Sequence, residues 1–257
     1  MVHLPTVEPS PASPEAQAVV GRPAPTWADR AVALVEVGLS SDVPTQVLSG
    51  AALTALGLTA AGADGRLRIG FVAPMLAIDS VLLIALILLL LRLHGEAARA
   101  VFFGHQRWLE EAKLAVPAAL GALAMAATVL ILVQTIAPWL HTVDRNPFEG
   151  LVTGPANAAV FAVVGIVGGG VREELQRAFV LRRFEQYLGG RGVGVVVSSV
   201  AFGAGHLLQG ADAGIATGVL GAFWGLLYLR RGSVVAPVLS HAAFNTLQIG
   251  AFFVSGR

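Results

Sequence analysis

Six side chains in the second half of this 257-residue sequence have types and spacings that could do acid–base chemistry. Glu173 and Glu174 are adjacent, and Arg177 follows at four and three residues, so on a helix its guanidinium can reach either carboxylate. His206 closes the run Phe202-Gly203-Ala204-Gly205-His206. His241 and Asn245, four apart, present an imidazole and a carboxamide on one helix face. Taken singly, each has an ordinary explanation. A Glu–Arg set can close a helix at an interface, a lone His can bond between helices, and a His/Asn pair can hold two helices together for about 0.6 kcal/mol. Taken together they supply a general base with either metal ligands or oxyanion donors.

The elements that must position these groups are membrane helices. The chain is 55% hydrophobic and 13% charged, with a mean hydropathy of +0.73, whereas a soluble domain carries about 25% charged residues. Runs free of Asp, Glu, Lys and Arg cover 114–143, 150–171, 192–211, 213–229 and 232–256, and Ile69–Leu91 holds only Asp79. A bilayer core needs roughly 17–25 predominantly apolar residues per helix. This composition excludes a soluble enzyme, a nucleic-acid binder and a disordered chain. An ionisable group inside such a span costs about 2.5–3.5 kcal/mol on insertion scales, so the few that remain call for a reason. There is no cysteine, hence no disulfide, thiol nucleophile or Cys-ligated zinc.

The expected fold is all-α: a polytopic helical membrane protein with six to seven transmembrane helices in one bundle. Residues 1–42 read as a disordered Pro-rich tail (Pro5, Pro9, Pro11, Pro14, Pro23, Pro25) plus a short amphipathic helix over Trp27–Ser40. Residues 43–257 form the membrane domain, with spans at 69–93, 114–140, 152–171, 192–209, 212–229 and 232–254, and a Gly/Thr/Ser-diluted segment at 43–62 as the seventh. Glu173, Glu174 and Arg177 would close the third strong span and lead into an amphipathic stretch, Phe179–Tyr187. Gly168-Gly169-Gly170 would permit a bend before them. Basic residues are dense in 92–113, 177–191 and 230–231 and sparse in 141–149 and 210–213. This alternation predicts in, out, in, out, in for successive connections, with Arg66 and Arg68 against the trend.

Phe202–His206 matches the FxxxH motif, and His241-Ala242-Ala243-Phe244-Asn245 the HxxxN motif, of the CPBP family of intramembrane proteases, which this sequence resembles over about 150–254. That family includes the type II CAAX prenyl endopeptidases and bacteriocin-processing or immunity proteins. Its first motif, EExxxR, is one residue shorter here: Glu173-Glu174-Leu175-Gln176-Arg177 reads EExxR. Aligning the arginines puts Arg172 and Glu173 at the two Glu positions. Glu173 is favoured as the base, with Glu174 as competitor.

The resemblance implies a membrane metalloendopeptidase whose catalytic set is Glu173, Glu174, Arg177, His206, His241 and Asn245. Glu173 would activate water, His206 and His241 with Glu173 would hold a divalent metal, zinc being the expected ion, and Asn245 would complete the site or bind the oxyanion. A metal-free version uses the same residues. It further implies a multi-pass protein of a bacterial cell membrane, with the lipid bilayer and a peptide or membrane-protein substrate as partners and no nucleic acid. The alternatives are an inactive scaffold or immunity-type protein on the same fold, and a transporter relaying protons through Asp79, Glu173 and His206. The latter lacks the expected inverted repeat. Simple straight helices would hold Glu173 and His206 at opposite membrane faces, so bends or tilts are required for one site.

Overall fold

The computed structural model describes residues 24–104 and 108–255, so the expected Pro-rich tail lies, up to residue 23, outside the described residues. The described chain is helical, with one isolated antiparallel bridge between Ala61 and Leu67. Helix α1 (Trp27–Leu39) starts at a capping box in which Thr26 and Asp29 each satisfy the other's backbone N–H. Helix α2 (Asp42–Ala55) follows after a two-residue break. With 14 residues, α2 rises about 21 Å, short of the roughly 30 Å hydrocarbon core, so it does not cross alone.

Next come α3 (Ile69–Leu93), a short α4 (Ala98–Phe102) and α5 (Trp108–Ile136). After two single 3₁₀ turns, α6 (Pro155–Val164) runs without interruption through a π-helical segment, Gly165–Arg172, into α7 (Glu173–Tyr187). Helices α8 (Arg191–Gly205), α9 (Ala211–Arg231) and α10 (Val235–Ser255) complete the bundle. Three of these, α3, α5 and α9, are long and apolar enough to cross a membrane. Their exposed side chains, among them Val81, Leu120, Ile131 and Leu132, are a surface suited to acyl chains and not to water.

Two expectations are corrected. Helix α5 begins six residues before the expected 114, because Trp108, Leu109 and the acidic first turn Glu110-Glu111 already wind. The expected amphipathic stretch 179–187 is more deeply packed than a one-sided helix: Phe179, Leu181, Arg183 and Phe184 are buried, and Arg182, Glu185, Gln186 and Tyr187 are half-buried. Of its charged residues Arg183 is satisfied inside the protein, while Arg182 and Glu185 stay about a third exposed.

Arg183, fully buried, donates through Nε to Glu36 of α1 at 2.5 Å and through a terminal nitrogen to Glu96. Glu36 also meets His94 Nε2 at 2.6 Å, and Glu96 accepts from Arg182 at 2.8 Å. Below this network pack Leu83, Ile87, Leu91, Phe102, Phe179 and Phe184. At the same end Arg231 reaches Glu111 at 2.6 Å, and Val234 N donates to Phe102 O. The three Arg-bearing connections thus meet at one end of the bundle. At the other, Asp212 accepts from Gln134 and His141, both at 2.8 Å, and Asn146 donates to Gln209.

Replacing Arg183 with Ala would leave Glu36 and Glu96 facing each other without their shared cation. The expected cost is about 3–5 kcal/mol, measured as a fall in Tm of the detergent-solubilised protein. Burial raises the Glu96 carboxyl, but Arg182 and Arg183 outweigh it and hold it below its ordinary 4.5. A folded value below the unfolded one gives stability that is complete above pH 4.5 and lost as pH falls through the folded value. An acid titration of Tm should show that loss, and Glu96→Gln should remove it.

Candidate active site

The π-helical segment determines how the glutamates enter the bundle. Glu173 N–H bonds back to Gly168 O, five residues earlier, which is the wider winding of a π-turn. That winding changes the rotational phase with which Glu173 and Glu174 leave the segment. Its glycines also let α10 approach: a Cβ on Gly170 would lie 2.7 Å from Ala242 Cβ and 3.1 Å from its Cα. A Cβ on Gly169 would overlap the carboxamide nitrogen of Asn245. The glycine run expected to permit a bend therefore supplies a wide turn and a close helix crossing.

Glu174, 1% exposed, is enclosed. Its Oε1 accepts from Arg177 and from His241 Nδ1, the latter at 2.8 Å. Because a carboxylate only accepts, His241 carries its proton on Nδ1, and Nε2 is directed elsewhere. That atom lies 3.8 Å from Glu173 Oε2. Glu173 is the more accessible of the two carboxylates, at 13%. Of the alternatives left open by the sequence, Glu174 holds two partners on one oxygen, while Glu173 Oε2 faces the imidazole across a gap.

Aromatic rings fix the arrangement. The His241 imidazole stacks on Trp224 of α9 with centroids 3.8 Å apart and planes 13° off parallel. Trp224 is held by its Nε1–H to Ser240 Oγ at 3.1 Å. Arg177 lies over the Phe202 ring at 4.7 Å and 5.9 Å from the Trp224 ring, so its charge rests on aromatic faces as well as on Glu174. Trp224 carries no charge and has no motif spacing in a run of apolar residues. Only its position opposite His241 gives it a role.

Asn245 donates to Gly165 O at 3.2 Å, spanning from α10 to the π-helical segment one turn above His241. His206 caps α8, its Nδ1 donating to Phe202 O at 2.8 Å, which leaves Nε2 as an acceptor. It adjoins the cluster through Phe202, whose ring lies 4.7 Å from that of His206 and 6.3 Å from that of His241. Glu173, Glu174, Arg177, His241 and Asn245 come together through direct contacts or shared neighbours. His206 reaches them across Phe202. Helix α8 can lie so close to α9 because Gly203 faces Gly214 and Gly218, where a Cβ would stand 2.6 Å from Gly214 O.

Residues 155–247 match the family of type II CAAX prenyl endopeptidases, Rce1-like. All six candidate residues lie inside this Rce1-like segment. Neither the curated proteins nor the solved structures compared with the chain gave a match. The shortened first motif of the Rce1-like segment does not scatter its carboxylate–guanidinium pair, since Arg177 meets Glu174 at three residues. As to metal, Glu173 Oε2 and His241 Nε2 make one donor pair, but no three His, Asp or Glu side chains are grouped to hold an ion among the described residues.

The two glycines facing α10 should respond differently. Gly170→Ala meets Ala242, including its backbone, and should cost about 1–3 kcal/mol of stability. Gly169→Ala overlaps the movable end of Asn245 and touches His241 Nε2 at an ordinary 3.8 Å, so Tm should hold while Asn245 is displaced and activity falls. Thermal unfolding and turnover measured on the same preparations test the contrast.

Proposed function

We propose that the protein is an intramembrane endopeptidase in which Glu173 activates the water that hydrolyses a peptide bond. The observation that carries this reading is the opposed pair Glu173 Oε2 and His241 Nε2, 3.8 Å apart, with His241 held by Glu174 and Trp224. A water between them would donate one proton to the Glu173 carboxylate and the other to the His241 Nε2 lone pair. Glu173 takes its proton as the water oxygen attacks the carbonyl carbon of the substrate, and the C=O pair moves onto oxygen. The Asn245 carboxamide, which retains a second N–H beside its bond to Gly165 O, would donate to that oxyanion. Collapse re-forms the carbonyl, breaks the C–N bond, and the proton on Glu173 passes to the leaving amine. Glu174 keeps His241 in its Nδ1–H tautomer throughout, and Arg177 donates to the same Glu174 oxygen and holds it in place.

The Rce1-like match supports a peptide or membrane-protein substrate presented from the bilayer. Six spans, counting 152–171, 192–209 and 232–254, and residence in a bacterial cell membrane belong to the same proposal, the segment at 43–62 being too short for a seventh. Zinc is a separate part of it. Its donors would be Glu173, His206 and His241, and the ion would supply Lewis-acid activation of the water.

Purified protein in proteoliposomes, incubated with a peptide library, should cleave, and Glu173→Gln and His241→Ala should each lower kcat by at least about 100-fold, the lower end for an acid–base group. Cleavage unchanged in both variants would sink the assignment. Phenanthroline followed by added Zn2+ reads the metal part. Activity lost and then restored supports a bound ion, whereas unchanged activity removes zinc and leaves the Glu173 water.

A further inference from the structure

Each of the two glutamates has its own arginine, and the second pair draws in helices outside the Rce1-like segment. Arg172, the last residue of the π-helical segment, has a side chain only 4% exposed. Its guanidinium faces three carboxylates from three elements: it donates to Asp42 Oδ1 at the start of α2, its Nε is 3.5 Å from Asp79 Oδ2 in α3, and its second terminal nitrogen is 3.5 Å from Glu173 Oε1. Gln176, one turn on, donates to the same Asp42 oxygen at 2.9 Å and to Ser40 O at 2.8 Å. Asp42 is thereby fixed from α7 as well as from the π-helical segment.

We infer that Arg172, anchored by Asp42 and Asp79, is a positioning residue that holds Glu173 Oε1 so that Oε2 faces His241. The two oxygens of Glu173 are divided, one toward Arg172 and one toward the imidazole Nε2. Rotation about the terminal torsion of a Glu side chain is broad and two-fold, so an unanchored carboxylate would spread over orientations that do not face the gap. The anchor has two supports. Asp42 lies on a helix too short to span, and Asp79 is completely buried in α3. Both lie outside residues 155–247. The segment from 40 to 79 is accordingly part of the working site, although no motif residue lies in it.

This inference rests on Glu173 being the base, and the experiment separates the two. Proteoliposomes carrying the parent chain, Glu173→Gln, Arg172→Gln, Arg172→Lys, Asp42→Asn and the double variant Arg172→Gln/Asp42→Asn are compared for kcat and KM on one library peptide. Turnover is normalised to folded protein by size-exclusion chromatography and Tm. Arg172→Gln should lower kcat by about 100-fold, the scale of a 1 Å misplacement at a reacting group, with KM within about twofold. Arg172→Lys, keeping the charge, should recover part of that loss. Asp42→Asn should lower kcat less, and the double variant should be no slower than Arg172→Gln alone, because both changes act through one contact. A purely structural role would lower Tm and folded yield and leave kcat per folded molecule at the parent value. That result, or strictly multiplicative effects of the two substitutions, overturns the inference. If Glu173→Gln is inactive while Arg172→Gln turns over normally, only the positioning role fails. If Glu173→Gln turns over normally, or the parent cleaves nothing, the reading of the base falls and this inference with it.

Discussion

A charge in a bundle of this composition is stable only with an opposite charge against it, and arginine–carboxylate pairing is the interaction on which the rest of the structure depends. Removing one partner from such a pair costs about 3–5 kcal/mol because the other is left buried and alone. Six buried or part-buried acids accordingly have arginines: Arg177 for Glu174, Arg172 for Asp42 and Asp79, Arg183 for Glu36 and Glu96, Arg231 for Glu111. Each pair joins segments far apart in the chain or, for Glu174 and Arg177, fixes the first turn of one helix. The pairs are therefore both the means by which charge is tolerated and the clamps that set helix positions.

Glycine provides the second constraint. Apolar helices in lipid gain nothing from leaving water, so close van der Waals contact has to hold them. Gly170 against Ala242 and Gly203 against Gly214 are the crossings that matter here. The first sets α10, with His241 and Asn245, on the π-helical segment that delivers Glu173. The second sets α8, with Phe202 and His206, against the helix that carries Trp224. The His241 imidazole, stacked on an indole and bonded to a buried carboxylate, has one orientation, and that orientation directs Nε2 toward Glu173.

Much of this was legible beforehand because the bilayer constrains composition so strongly. Charge-free runs of span length located α3, α9 and α10 closely, and Ile69–Leu93 matches the expected bounds. The conspicuous polar residues Glu173, Glu174, Arg177, His241 and Asn245 do assemble. Other features had no signal. The phase of the π-helical segment depends on backbone bonds that glycines permit but do not encode uniquely. Burial of Arg183 was hidden because charge reads as exposure unless its partner, here Glu36 or Glu96 at more than eighty residues' distance, is known. Asp79 stood out as a lone charge, yet its connection to Glu173 runs through Arg172, which reads by itself as an interfacial arginine.

The sequence alone determined that the chain is helical and apolar enough to enter a membrane, and which six side chains are candidates for chemistry. These follow from composition and from spacing along one helix, which are local properties. Tertiary structure decided which arginine each glutamate meets, which nitrogen of His241 faces the gap, and that Trp224, Arg172, Asp42 and Asp79 adjoin the site. Those are relations between residues on different helices. They are fixed by where glycines let backbones touch and where each buried charge finds its counter-charge, and no spacing within a single helix carries that information.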